Sequence, residues 1–115
     1  MLNKMEELVH KKCTPCEGGT PPLTEAEVQT YLTELGEGWS VIDNKKIRKE
    51  FTFKDFKEAL VFVNNVGEIA EAEGHHPDIH LTDYKHAAIE LSTHATGGLS
   101  ENDFIVAAKI DALEI

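Results

Sequence analysis

Basic residues are scarce in this sequence, and their scarcity limits the partners that the protein can have. There are 11 Lys and Arg residues against 21 Asp and Glu residues, which gives a formal net charge of −10. A surface with excess negative charge repels the phosphates of nucleic acids and anionic lipid headgroups. We therefore expect no direct nucleic-acid binding and no binding to a membrane surface.

Long apolar runs are missing as well. No stretch approaches the roughly 20 apolar residues that span a bilayer, and the N-terminal residues lack the apolar core of a signal peptide. We therefore expect a cytoplasmic protein. A chain of 115 residues buries one hydrophobic core, and no internal repeat indicates a solenoid.

Cysteine is also rare, and Cys13 and Cys16 are the only two. A C-x-x-C pair can be a redox pair, half of a zinc site or two solvated thiols. The Gly- and Pro-rich residues that follow are typical of a loop, whereas a redox pair needs a helix N-terminus. With His10 the cysteines offer three zinc ligands and no obvious fourth. We interpret them as unpaired thiols in a flexible tail, with zinc binding as the alternative.

Apolar periodicity divides the chain near Pro22. Residues 1–22 have no sustained apolar period and end in a Gly- and Pro-rich cluster. We predict that they form a flexible N-terminal extension, whose removal leaves the fold and the activity intact. Residues 23–115 are predicted to form the domain. It begins with a helix that has a Thr24/Glu27 capping box and ends at Gly36.

The rest of the domain alternates hairpins with helices. Residues 39–42, 46–53, 79–84 and 87–93 are predicted strands. The longest helix is predicted for residues 54–73, and its inward side chains at helical spacing are Phe56, Ala59, Leu60, Val63, Val66 and Ala70. Ser100 caps a final helix. The order α-β-β-α-β-β-α indicates an α+β fold, a four-stranded antiparallel sheet with helices packed on one face.

Histidine is concentrated in one window of the sequence. Five of the six histidines fall between residues 75 and 94, namely His75, His76, His80, His86 and His94. Pro77 restricts the backbone of His76 to extended conformations. Strand alternation puts His94 on the face away from the helices, where it can share a pocket with the first two. Imidazole is available in both protonation states near neutral pH, so such a cluster can act as acid and base.

Other residues of this region have simpler interpretations. We interpret His80 and His86 as surface residues. Glu71 lies one helical turn before His75 and either orients it or is solvated. Asp103 stands at the third position of a helix, where capping alone explains a carboxylate. The spacing also disfavours a metal site, since adjacent histidines diverge in an extended segment, and we predict no metal.

The same residues resemble the signature of the pterin-4a-carbinolamine dehydratases. The matching positions are Glu71-x-x-x-His75-His76-Pro77, Tyr84, His94 and Asp103, and the similarity runs from about Leu23 to Leu113. The resemblance implies three catalytic histidines, His75, His76 and His94, supported by Glu71 and Asp103. The substrate-binding residues that it implies are Pro77, Thr93, Ala95 and Thr96.

The function implied by this resemblance is that of a lyase. Such an enzyme dehydrates 4a-hydroxytetrahydropterin to quinonoid dihydropterin and water in tetrahydrobiopterin recycling, and it needs no cofactor because the pterin is the substrate. A homodimer or homotetramer is expected. The alternative is a non-catalytic dimerisation or transcriptional-cofactor module, a function that animal relatives also have. A fold can persist without its chemistry.

Overall fold

The computed structural model describes residues 4–14 and 21–113. Its helices are α1 (Lys4–His10), α2 (Glu25–Glu34), α3 (Phe56–Glu73) and α4 (Glu101–Asp111), with a short 3₁₀ helix at His94–Thr96. Its strands are β1 (Ser40–Ile42), β2 (Lys46–Thr52), β3 (Asp78–Thr82) and β4 (His86–Leu91). No helix within the described ranges is long and apolar enough to cross a membrane.

The strands form one antiparallel sheet in the order β1-β2-β4-β3. Each hairpin turns through two residues with positive φ, Asp43 and Asn44 in the first and Asp83 and Tyr84 in the second. Such turns match the right-handed twist of the paired strands. The predicted sheet is confirmed, although Tyr84 lies in the second turn rather than in β3.

One face of the sheet carries the core. Ile47 and Phe51 of β2 and Ile89 and Leu91 of β4 are buried, whereas the residues between them, apart from Ala88, are more exposed. The last helix, α4, is buried along almost its whole length between the sheet and the other helices. Asp103, at the third position of this helix, is fully buried.

The buried face of α3 agrees with the prediction at Ala59, Val66 and Ala70 and differs from it at Phe56, Leu60 and Phe62. Ala59, Phe62, Val66 and Ala70 are buried, whereas Phe56 and Leu60 are 48% and 39% exposed. Two apolar stripes of similar spacing run along this helix, so periodicity alone does not select one. The Phe62 ring determines which stripe is buried, because this ring packs against Phe51 and Phe53 at centroid distances of 4.6 and 5.0 Å.

The N-terminal segment also differs from expectation where the structure describes it. Helix α1 packs against α4, and Leu8 is buried in the main core. Its seven residues are too few to show an apolar period, and a helix this short depends on tertiary packing for its stability. Residues 11–14 continue along α4, and we call them the N-terminal strap. The domain boundary at residue 22 stays a prediction, and Cys16 lies outside the described residues.

Candidate active site

A cavity of about 550 Å³ opens between the C-terminal end of α3 and the end of β4. The three histidines that the sequence analysis grouped, His75, His76 and His94, all line it. The other lining residues are Cys13, Thr14, Glu73, Gly74, Ser92, Thr93, Ala95 and Asn102. A cavity of this size is typical of a small-molecule site.

Gly74 brings the first two histidines to the cavity. It ends α3 in the left-handed conformation with φ 64°, which glycine adopts without steric cost. Its N–H and the N–H of His75 both donate to the carbonyl of Ala70 and close the last turn. The chain then leaves the helix through His75 and His76, before β3 begins at Asp78.

His75 is held by a buried carboxylate. Its Nε2 lies 2.6 Å from Asp103 Oδ1, with 13% of the histidine side chain and none of the aspartate exposed. Asp103 Oδ2 accepts from the Thr93 hydroxyl at 2.8 Å and from the Ser100 N–H at 2.9 Å. Asp103 is the acceptor in both of these bonds. We therefore assign the proton of the His75 contact to Nε2, which donates to Asp103 Oδ1. The ring nitrogen outside this bond is Nδ1.

His76 has a different kind of partner. Its Nε2 lies 2.8 Å from Glu71 Oε1, but 61% of the histidine and 79% of the glutamate side chain are exposed. The sequence analysis paired Glu71 with His75, whereas the structure pairs it with His76. One-turn spacing holds only while a helix continues. Gly74 ends α3, so the residue five positions after Glu71 reaches it instead.

The loop after β4 supplies the third histidine. His94 is exposed and opens the 3₁₀ helix, in a loop closed by the Thr93 N–H bond to the Gly98 carbonyl at 2.9 Å. Of the predicted substrate-binding residues, Thr93 and Ala95 line the cavity, while Pro77 and Thr96 are not among its lining residues. The buried Thr96 hydroxyl instead bonds the carbonyls of Thr93 and Gly98 inside the loop.

Two lining residues, Cys13 and Thr14, belong to the N-terminal strap and were not predicted from the sequence. The Cys13 N–H donates to Glu73 Oε1 at 2.9 Å, and this bond is the main reason why the pKa of Glu73 lies below its usual value. Burial raises the pKa of the Cys13 thiol to about 12, so it is protonated at neutral pH, unlike a redox-active thiol. These contacts join residues 60 positions apart, and no local pattern reveals them.

The two remaining histidines of the window lie elsewhere. His80 is exposed, with Nε2 3.5 Å from Glu90 Oε1, and His86 Nδ1 lies 3.0 Å from the Thr52 hydroxyl. Neither lines the cavity. Within residues 4–14 and 21–113, no three His, Cys, Asp or Glu side chains are arranged to hold a metal ion. That no metal is needed stays a prediction.

Comparison with known families gives a match over most of the chain. The family model described as pterin 4 alpha carbinolamine dehydratase matches residues 21–113. A relative from Alkaliphilus metalliredigens is 50% identical over 107 residues, 93% of this chain and 96% of its own. A relative from Nitrosomonas eutropha is 47% identical over 109 residues, 95% of each chain. Both carry the name "Putative pterin-4-alpha-carbinolamine dehydratase".

Solved structures show the same fold. A transcriptional coactivator/pterin dehydratase from Brucella melitensis superposes with a TM-score of 0.73 at 35% identity, covering 79% of this chain and 96% of that one. A pterin dehydratase-like protein described as a RuBisCO assembly factor in the alpha-carboxysome superposes with a TM-score of 0.56 at 22% identity, covering 66% and 88%. The second similarity shows the fold alone.

Proposed function

Because the chain belongs to the pterin-4-alpha-carbinolamine dehydratase family, we propose that it converts 4a-hydroxytetrahydropterin to quinonoid dihydropterin and water. The observation that carries this proposal is the meeting of His75, His76 and His94 at one cavity. In the proposed reaction the pterin is the substrate, no metal or organic cofactor takes part, and the product serves tetrahydrobiopterin recycling.

The reaction needs one group that gives a proton and one that takes a proton. The bond between C4a and the hydroxyl oxygen breaks, and the hydroxyl leaves as water after it receives a proton. The N5–H proton is lost, and its electron pair forms the double bond between C4a and N5. The histidine cluster supplies both kinds of group, because imidazole and imidazolium coexist near neutral pH.

We assign the acid and base roles to His75 and His76, and substrate holding or polarisation to His94. Asp103 supports His75, because the 2.6 Å bond fixes the orientation of the imidazole. Glu71 supports His76 in the same sense, although both partners are exposed to water. Thr93 and Ala95 line the cavity and are proposed to contact the pterin. Pro77 and Thr96 are not lining residues, and their part in substrate binding stays a prediction from the resemblance.

Self-association and a cytoplasmic location belong to the same proposal. Strands β1 and β3 are the edges of the sheet, with backbone groups that pair readily with another strand. Phe56, Leu60 and Val61 of α3 are exposed apolar residues. We propose that such features are covered in a homodimer or homotetramer. Sedimentation equilibrium at micromolar concentration should show a dimer or larger species, and a monomer alone contradicts this part.

Stopped-flow measurement of carbinolamine decay tests the dehydration directly. The purified chain should accelerate the decay over the buffer rate, and the His75→Ala/His76→Ala double variant should return it almost to that rate. Both proteins should give the same circular dichroism spectrum, because neither histidine belongs to the hydrophobic core, although the loss of the bond to the buried Asp103 should lower the stability. If the parent and the double variant give equal rates, the dehydration proposal is wrong, and the dimerisation or transcriptional-cofactor alternative takes its place.

A further inference from the structure

The N-terminal strap lies outside the part of the chain that the family model describes, yet it reaches the cavity. The family model begins at residue 21, so every residue of the strap precedes it. Cys13 and Thr14 nevertheless line the same cavity as the three histidines. A segment that precedes the family model therefore forms part of the surface that a ligand meets.

Asn102 holds the strap by a two-point clamp. Its Oδ1 accepts from the Thr14 N–H at 3.1 Å, and its Nδ2 donates to the Thr14 carbonyl at 2.6 Å. The amide therefore pairs with Thr14 much as a neighbouring strand would. Asn102 is 5% exposed, so breaking the clamp leaves a buried amide without these two partners.

Glu73 holds the strap from the other side. Its Oε1 accepts from the Cys13 N–H at 2.9 Å, and its Oε2 lies 3.6 Å from Lys109 Nζ. The same ammonium donates to the carbonyl of Val9 at 2.7 Å, which ties the end of α1 to α4. Only 8% of the Glu73 side chain is exposed, so solvent screens this network little.

The clamp residues adjoin the candidate catalytic groups in sequence. Glu73 stands two positions before His75 on the last turn of α3, and Asn102 directly precedes Asp103 in α4. The two helix ends that fix the buried His75–Asp103 pair therefore also fix the strap. A ligand in the cavity therefore contacts histidines and strap residues that are held by the same two helix ends.

We propose that Cys13 and Thr14, the two strap residues that line the cavity, form a substrate-binding wall that contacts the bound pterin, and that Asn102 and Glu73 are positioning residues that keep this wall in place. The inference rests on the proposed function, since it names the pterin as the ligand. The N–H groups of Cys13 and Thr14 and the Thr14 carbonyl are bonded to Glu73 and Asn102, so the strap meets the pterin as a shaped surface that lines the cavity. The histidines carry out the chemistry, whereas the strap contributes affinity and specificity.

A bulky residue at Thr14 tests the wall. In the full-length protein, Thr14→Trp should raise KM for the carbinolamine, and the Kd of the stable ligand 7,8-dihydrobiopterin measured by titration calorimetry, by about tenfold or more. Lys12→Trp is the matched control, because Lys12 is an exposed residue of the same strap that does not line the cavity. It should change both constants by less than about twofold. Thr14 is exposed, so neither variant should alter the melting temperature.

Asn102→Ala tests the positioning role by a second route. It should raise KM with little change in kcat, because the reacting groups stay in place while the wall is loosened. Combined with Thr14→Trp, its effect on KM should be smaller than the product of the two single effects, since both act through the same wall. A purely structural role for Asn102 predicts a lower melting temperature with KM unchanged, which overturns the positioning assignment.

The outcomes separate this inference from the dehydration proposal. If the parent accelerates carbinolamine decay and Thr14→Trp matches it in both KM and Kd, the strap is not a binding wall, and dehydration stands. If the parent leaves the decay rate unchanged but binds dihydrobiopterin, and Thr14→Trp weakens that binding, the wall stands and dehydration fails.

Discussion

His75 and His76 are neighbours in sequence, and each contacts a carboxylate, but the two pairs lie in opposite surroundings. The His75–Asp103 pair is almost closed to solvent, at 13% and 0% exposure, whereas the His76–Glu71 pair is 61% and 79% exposed. A buried charge-assisted bond is strong and fixes a side chain. An exposed pair is screened by water and salt and contributes little. Adjacent side chains of one type therefore acquire different properties: His75 is fixed, and His76 can change its position.

Alanine at either histidine should give the largest effect on catalysis. His75→Ala or His76→Ala should lower kcat by about 10²-fold or more, the size expected for loss of one general acid or base. The two losses together should cost less than their product, because both groups act on one transition state. Stopped-flow turnover with saturating carbinolamine measures this. Single variants as fast as the parent would contradict both assigned roles.

Amide substitutions of the two carboxylates test the difference between the pairs. Asp103→Asn removes the charge opposite His75 and should lower kcat about tenfold. It should also lower the free energy of unfolding by about 1–3 kcal/mol, because the buried site then holds a poorly matched polar group. Glu71→Gln, at the exposed pair, should leave the free energy of unfolding within about 0.5 kcal/mol of the parent. Turnover and urea unfolding measure the two effects.

Equal losses of turnover for the two amide variants would show that burial does not distinguish the two histidine–carboxylate pairs. If Glu71→Gln costs as much turnover as Asp103→Asn, exposure does not determine the contribution of the carboxylate, and a bound pterin must close the His76–Glu71 pair to solvent. Repeating the measurement in high salt separates the cases, since salt weakens an exposed pair and affects a buried one little.

Local sequence patterns were sufficient for the sheet and the helices of the domain. The first hairpin turn, near Asp43, the cap at Ser100 and the alternating strands each depend on near neighbours in the chain, so each leaves a readable pattern. The second turn, at Asp83 and Tyr84, was instead predicted as the end of a strand. The side of α3 that is buried leaves no such pattern, because two stripes compete and the contact of Phe62 with Phe51 decides between them. Helix α1 is similar, since its burial depends on α4 rather than on its own sequence.

The site was predictable to the extent that its residues are close in the chain. The histidines and the loop at Thr93 belong to one window, and their spacing gave the family. Asp103 could be interpreted from the sequence as a helix cap, and the structure gives it a second contact, with His75. The pairing of Glu71 with His76 depends on the direction in which the chain leaves α3 at Gly74, and the strap depends on contacts between distant residues. Spacing carries no information about either.

Glu73 and Glu71 offer a second test of burial, because they lie two residues apart at the end of α3. The Cys13 N–H bond holds the pKa of Glu73 below its usual value, so the carboxylate stabilises the fold above the unfolded-state pKa near 4.5. This stability is lost as the pH falls through the folded-state pKa. Glu73→Gln should therefore lower the free energy of unfolding by about 1–2 kcal/mol at neutral pH, and by less in acid. Urea unfolding at pH 7 and at pH 3 measures this.

The matched control at this helix end is Glu71→Gln, which replaces an exposed carboxylate on the same turn. Its free energy of unfolding should stay close to that of the parent in both measurements, since an exposed ion pair contributes little to stability. A Glu73→Gln protein with the same dependence on pH as the parent would show that the strap contact does not stabilise the folded state.

The smallest effects should come from the two histidines that do not line the cavity. His80 is half exposed and lies 3.5 Å from Glu90, and His86 contacts Thr52 on the outer face of the sheet. Neither touches a residue proposed to act on the pterin, so His80→Ala and His86→Ala should each leave kcat and KM within about twofold of the parent. His76 is exposed as well, so His76→Ala is the informative comparison. If it lowers kcat while His80→Ala and His86→Ala do not, the exposure of a histidine does not determine its contribution to activity. A tenfold loss at His80 or His86 would mean that the outer face of the sheet takes part in the reaction, and the assignment of the site to the His75, His76 and His94 cavity would be incomplete.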